Sequence, residues 1–317
     1  MDVTRWLLES DPAIRWQVLR DLTDASEEEV ARERLRIAHE GWGGALLDLQ
    51  GGDGMWDRGA YYPDWLTEEY WDDHDGQPWT ATGPTLLLLR QLGVDPHDER
   101  VVEAIRLVDE RVRWEDAGQR FFEGETEPCV NALTVDVGSY FGVDVSGVVD
   151  RLLGERLADG GWNCEASKGS TRSSFHTTIA VVEALHGYEI ATGGDSVARE
   201  ARLAAEQYLL DRRLMYRSGT DEIIDASWLD FSFPVRWFYD VLRGLDHFRA
   251  VGADAADPRF ADALRLVRDK RGADGMWVLE NPHEGETQLD FGEGDGRPSR
   301  WNTLRALRVL RWAGDPA

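Results

Sequence analysis

Apolar positions along the chain fall into two alternating patterns. Segments of one kind are apolar on most sides: PAIRWQVLRDL from 12, WTATGPTLLLL from 79, EPCVNALTVDV from 127, SFHTTIAVVEAL from 174, FPVRWFYDVLRGL from 233 and SRWNTLRALRVL from 299. Between them lie SEEEVARERLRIAH, DERVVEAIRLVDERV, DVSGVVDRLLGERL, SVAREARLAAEQYLL and PRFADALRLVRDK, with apolar residues three and four apart and charges on the opposite face. The first kind predicts buried helices, and the second predicts helices with one solvated side. Their alternation predicts an all-α fold, an α/α toroid of about six inner and five to six outer helices, in which the buried set faces the centre. Strand-like alternation is absent from the sequence. The stretches 57–78 and 278–298 read as rim loops of a single domain over residues 1–317.

One turn recurs: GDGMW from 52, ADGGW from 158 and ADGMW from 273. Half the spacing between copies is about fifty residues, the size of a helical repeat unit. Glycines in each copy permit the reversal into the next inner helix, and Asp95-Pro96, Asp257-Pro258 and the acidic SEEE run are helix-start signals.

Composition narrows the function classes. The chain has 317 residues, is 42% hydrophobic and carries 14 Trp, enough for a large core. Its formal net charge of -25 argues against a nucleic-acid partner, which requires a basic footprint, and disfavours anionic membranes. No apolar run reaches the eighteen or so residues of a membrane span, and MDVTRWLLESDPAIRW lacks a signal-peptide pattern, so a cytoplasmic location is expected. Lys168 and Lys270 are the only lysines. Such a surface suits a high-salt interior, and codon bias combined with solubility gives the same composition. Two cysteines are too few for a disulfide scaffold, although a Cys129–Cys164 bridge is compatible with the sequence.

The repeated turn resembles the QW motif of triterpene cyclases, Gln-x-x-x-Gly-x-Trp. Gln50, Gly54 and Trp56 match it fully, while Arg156 and Arg271 replace Gln in the other two copies. With the alternating helices, nearly the whole chain looks like the squalene cyclase and protein prenyltransferase superfamily. The stretch GGWNCEASKGSTRSSFHTTIAVVEAL is similar to the prenyltransferase β-subunit segment in which an aromatic-His-Thr triplet opens an inner helix. That resemblance implies a Zn²⁺ cofactor held by His176, with Cys129 and, more loosely, Glu127 standing for the family's Asp-x-Cys ligands. It also implies a separate helical partner subunit and a thiol as prenyl acceptor.

The residues support a related cluster directly. Aligned on their apolar registers, the inner helices place Cys129 and His176 at the same rank in consecutive repeats, with Cys164 on the entering loop. Two thiolates and an imidazole satisfy tetrahedral zinc, leaving a fourth position for Glu127, water or substrate. Buried filler cysteines and a carbonyl-bonded histidine are the plain alternative.

Other candidates are spread along the chain. Arg15, Arg236 and Arg172 could hold a diphosphate or carboxylate, or pair with the abundant acids. Trp16, Trp79, Trp237 and Trp301 could line a pocket for an isoprenoid or other apolar chain, or be plain core. WDDHDG at 71–76 departs from the Asp-x-Asp-Asp acid of proton-initiated cyclases, because His74 takes the proton donor's place. Asp225 and Asp230 are further candidate acids near a helix start. The leading expectation is a zinc-dependent toroid enzyme that activates a thiol or water for reaction with an apolar substrate. Alternatives are a metal-free class II terpene cyclase, thiol addition like that of lanthionine cyclases, and a non-catalytic toroid that binds a lipid or partner.

Overall fold

The computed structural model of the chain describes residues 2–315. Its helices are α1 (Val3–Leu8), α2 (Pro12–Leu22), α3 (Glu27–Leu35), α4 (Gly41–Asp48), α5 (Glu68–Asp73), α6 (Thr82–Leu92), α7 (Glu99–Arg111), α8 (Pro128–Phe141), α9 (Ser146–Gly154), α10 (Phe175–Thr192), α11 (Ser196–Leu210), α12 (Val241–Ala250), α13 (Ala261–Asp269) and α14 (Arg300–Trp312). Among the described residues, strand-like pairing is confined to isolated bridges such as Trp56 with Gly59.

The fold is an α/α toroid. Its inner ring is α2, α6, α8, α10, α12 and α14, the six segments whose sequence is apolar on most sides. Within that ring α6 packs on α8, α8 on α10, α12 on α14 and α14 on α2. The two remaining joints are polar. Trp16 Nε1 and Gln17 Nε2 of α2 donate to the last carbonyls of α6, Leu92 O at 2.9 Å and Gln91 O at 3.1 Å. Arg243 of α12 meets Glu183 of α10 at 2.6 Å. Outside the ring, α3, α7, α9, α11 and α13 expose charged faces, and one apolar cluster extends from Leu7 to Leu310.

Helix starts follow local chemistry. Ser26 accepts from Glu29 N and caps α3. Asp98, not Asp95, caps α7, because Asp95 folds onto His97 N in a turn of its own. Asp257 caps a short 3₁₀ turn, Pro258–Phe260, that feeds α13. One inner segment starts late: α12 begins at Val241, and the preceding 233–240 is irregular. Asp240, buried there, accepts from Arg243 N at 2.6 Å and fixes the helix start. Arg236-Trp237 therefore precedes its helix, whereas Arg15-Trp16 lies within one.

The recurring turn is one hydrogen-bonded unit used three times. Trp56, Trp162 and Trp277 are fully buried, and each indole Nε1 donates to the carbonyl ten residues earlier: Leu46 O at 2.7 Å, Leu152 O at 2.6 Å and Val267 O at 2.8 Å. Each backbone N–H of these tryptophans donates to a threonine in the following inner helix, Thr82, Thr178 or Thr303, at 3.0 to 3.2 Å. The tryptophan thus locks outer helix, turn and inner helix together. Gly54 makes the turn with φ +85°, and a Cβ there would stand 2.7 Å from Leu107 O.

Candidate functional site

Inside the ring is a cavity of about 830 Å³, within the size range of small-molecule sites. Its apolar wall includes Leu87, Leu88, Leu133, Trp16, Trp79 and Trp301. Charged residues of the inner helices occupy the rest and neutralise one another between helices. Arg90 of α6 meets Asp136 of α8 at 2.9 Å. Arg308 of α14 and Arg249 of α12 meet Asp246 at 2.8 Å and 2.7 Å, and Arg308 also reaches Asp21 of α2. Burial opposes the charge on Asp246, yet Arg308, Arg249 and Arg305 together hold its carboxyl below the usual range. Asp136 goes the other way: burial raises it, and Arg90 offsets only part of that.

The two cysteines meet at the edge of this cavity. Pro128 opens α8, which places Cys129 in its first turn on the cavity wall. Cys164 begins a 3₁₀ turn, Cys164–Lys168, on the loop that enters α10. Their sulfurs are 2.7 Å apart, longer than the roughly 2.05 Å of a disulfide bond. Glu127, the solvent-exposed N-cap of α8, brings Oε2 to 3.6 Å from the Cys129 sulfur, and Thr177 Oγ1 lies 3.5 Å from that of Cys164. Glu127, Cys129 and Cys164 thus present three ligand atoms within 4.8 Å of one another, spanning from solvent to cavity wall. The thiols share their acidity unequally. Hydrogen bonding to its partner lowers Cys164, while the neighbouring sulfur, burial and Glu127 push Cys129 up.

His176 stands outside that group, contrary to the expected Cys129–Cys164–His176 set. Its Nδ1 accepts the Tyr239 N–H at 2.9 Å, and the ring packs against Trp228 and Trp237. Burial and then the charge of Arg243 bring its pKa down to about 4, so the imidazole is neutral near pH 7. A neutral ring that accepts at Nδ1 carries its proton on Nε2 and has no lone pair left for a metal. The register alignment placed the helix rank correctly but could not foresee that irregular segment 233–240 would supply this N–H.

No protein-family model matches the chain, and no curated protein matches it in sequence. Solved structures resemble it along most of its length. A protein from Actinoplanes shares 17% identity at a TM-score of 0.45, covering 96% of this chain and 90% of that one. The type II terpene cyclase MstE from Scytonema shares 16% identity at a TM-score of 0.45, covering 97% and 86%. A variant of MstE in complex with its substrate, geranylgeranyl dihydroxybenzoate, matches with the same identity and score. A TM-score below 0.5 is too low for these likenesses to speak to chemistry.

The other expected residues divide by position. Trp16, Trp79, Trp237, Trp301 and Arg236 all line the cavity. Arg15 does not: it pairs with Glu33 of α3 at 2.6 Å and donates to Ser10 O. Arg172 is exposed on the loop before α10. Asp225 caps a 3₁₀ turn through Ser227 N, and Asp230 ends that turn 3.6 Å from Lys270, so neither candidate acid reaches the cavity. Sequence reasoning missed Asp136, Glu183, Arg90 and Arg308. For the first three the signal is a lone charge inside an apolar run of an inner helix, as in LLLLRQL, ALTVDVGSY and AVVEAL; Arg308 stands among the other arginines of α14 and carries no such signal.

Proposed function

We propose that the chain is an enzyme acting on an isoprenoid-like apolar molecule enclosed in the toroid cavity, with zinc bound at the cavity edge by Cys129, Cys164 and Glu127. The meeting of two free thiols and a carboxylate beside an apolar cavity carries this reading. The donor set suits the ion: two sulfurs and one oxygen make three protein ligands, the number typical of a catalytic rather than a structural zinc. Cys164 lies on a short turn, so the sulfurs can separate to the wider spacing that bonds of about 2.3 Å to one ion require. Bound there, zinc would supply Lewis acidity or a more acidic thiol or water at the cavity edge.

The chain's own residues set the surroundings. The aromatic and leucine wall excludes water from an apolar chain and orients it. The test is metal analysis of the purified protein beside Cys129→Ala and Cys164→Ala. One zinc per chain, lost in both variants, supports the reading; equal trace zinc in all three removes it.

One observation favours a second reading, metal-free proton-initiated cyclisation. Asp136 is a buried carboxyl on the cavity wall, raised by burial, and a cyclase of this kind requires such an acid near aromatic faces that stabilise cationic carbon. Turnover of a polyprenyl substrate by metal-free protein, abolished in Asp136→Asn, would select it over the zinc reading.

A further inference from the structure

We propose that Arg236 is the anion anchor of the toroid cavity and holds the single carboxylate of an otherwise apolar, chain-like ligand. The inference deepens the proposed function and rests on its premise that the cavity encloses an apolar molecule.

Arg236 is only 7% exposed and lines the cavity. Among the described residues its guanidinium has no hydrogen bond to any acceptor and no carboxylate within ion-pair distance; it lies over the face of Trp79, with Cζ 4.9 Å from the ring centroid. A buried cation normally has a counter-charge, because desolvation is otherwise uncompensated. Burial accordingly pulls this guanidinium down to about 9, with nothing but the neighbouring Tyr61 phenol to offset it.

The other charges around the cavity show what is special here. Arg90 faces Asp136, Arg243 faces Glu183, and Arg308 faces Asp246. Arg34 spends its donors on Gly93 O and the Tyr140 hydroxyl. Among the described arginines that line the cavity, only Arg236 is left without an acceptor.

The backbone holds it in place. Arg236 has φ +54°, a left-handed conformation unusual for an arginine, and its carbonyl accepts from Arg243 Nη1 at 3.4 Å. Next to it, Trp237 donates to Gln77 Oε1, and Gln77 Nε2 is itself buried without an acceptor. A planar guanidinium offers two parallel N–H groups that match the two oxygens of a carboxylate. Because the donors of the remaining cavity arginines already have acceptors, Arg236 alone offers a free fork, and one fork matches one carboxylate rather than the several oxygens of a diphosphate.

Calorimetric titration of the full chain with farnesoic acid, its methyl ester, farnesol and farnesyl diphosphate tests the assignment. The expected result is that the acid binds at least tenfold more tightly than ester, alcohol or diphosphate. Arg236→Gln should bring acid and ester within about twofold by weakening the acid alone, and Arg236→Lys, which keeps the charge, should restore part of the gap. Circular dichroism verifies the fold of both variants. Equal binding of acid and ester by the parent, an acid preference that survives Arg236→Gln, or a diphosphate that binds tighter than the acid would each overturn the anchor while leaving the apolar cavity intact. If none of the four compounds binds, the anchor and the cavity reading fall together.

Discussion

Arg308 on the last inner helix bridges Asp246 on α12, at 2.8 Å, to Asp21 on α2, at 3.4 Å. One guanidinium thereby closes the ring between the first and last repeats. Both of its carboxylates are largely buried, so this joint gains from charge only while every partner is present.

Asp246→Asn should therefore cost about 3–5 kcal/mol, because it leaves Arg308 and Arg249 short of their shared counter-charge. Urea unfolding measures it. The pH dependence has a defined sign. Asp246 is held below its ordinary 3.8, so its contribution is present above about pH 4 and disappears as the pH falls toward the folded value. Acid unfolding of Asp246→Asn should lack that part of the slope.

Thr178→Val should cost about 1–3 kcal/mol, since the buried Trp162 N–H loses its acceptor without any loss of side-chain volume. Trp162→Ala should cost more, about 3–5 kcal/mol, because a cavity is added to the lost bond to Leu152 O. The same ordering is expected at Thr303 and Trp277, where the unit is repeated. Equal costs for the two substitutions would show that the tryptophan does not join the two helices.

His176 and His283 both have pKa values lowered to about 4, chiefly by burial, against an ordinary 6.5. Unfolding therefore takes up protons between about pH 4 and 6.5, so stability is flat above that window and falls as the pH drops through it. His283→Gln should reduce the slope by the share of one proton. Imidazole NMR titrations with both midpoints near 6.5 would contradict this.

Removal of the proposed zinc should leave the fold standing. The thiol cluster sits at the cavity edge, while the core is continuous without it. A chelator is expected to leave the helical circular dichroism unchanged and the melting temperature within a few degrees, while exposing two thiols to a disulfide reagent. A chain that unfolds on chelation would assign the ion a structural role instead.

The helical order was readable because burial leaves a periodic trace in the sequence. Five of the six inner segments and all five outer ones became helices near the expected places. The exception, 233–240, looks apolar enough for a helix, but it is held irregular by bonds to distant residues such as Tyr239 N to His176. Helix α4, GWGGALLD, was not anticipated because its glycines disguise it; Gly43 and Gly44 are there because α4 lies close against the backbone of Ile37 and His39. No helix among the described residues is long and apolar enough to cross a membrane.

By itself, then, the sequence determined the alternation of buried and amphipathic helices, the tryptophan turns and the approach of Cys129 to Cys164, since each depends on local periodicity or on repeat register. Only the tertiary structure decided that Glu127 rather than His176 joins the sulfurs, that Asp225 and Asp230 stay off the cavity wall, and that among the described arginines lining the cavity Arg236 alone lacks a hydrogen-bond acceptor. Those outcomes depend on which groups from distant segments exhaust one another's hydrogen-bonding capacity, a property of the packed ring that no single stretch of sequence contains.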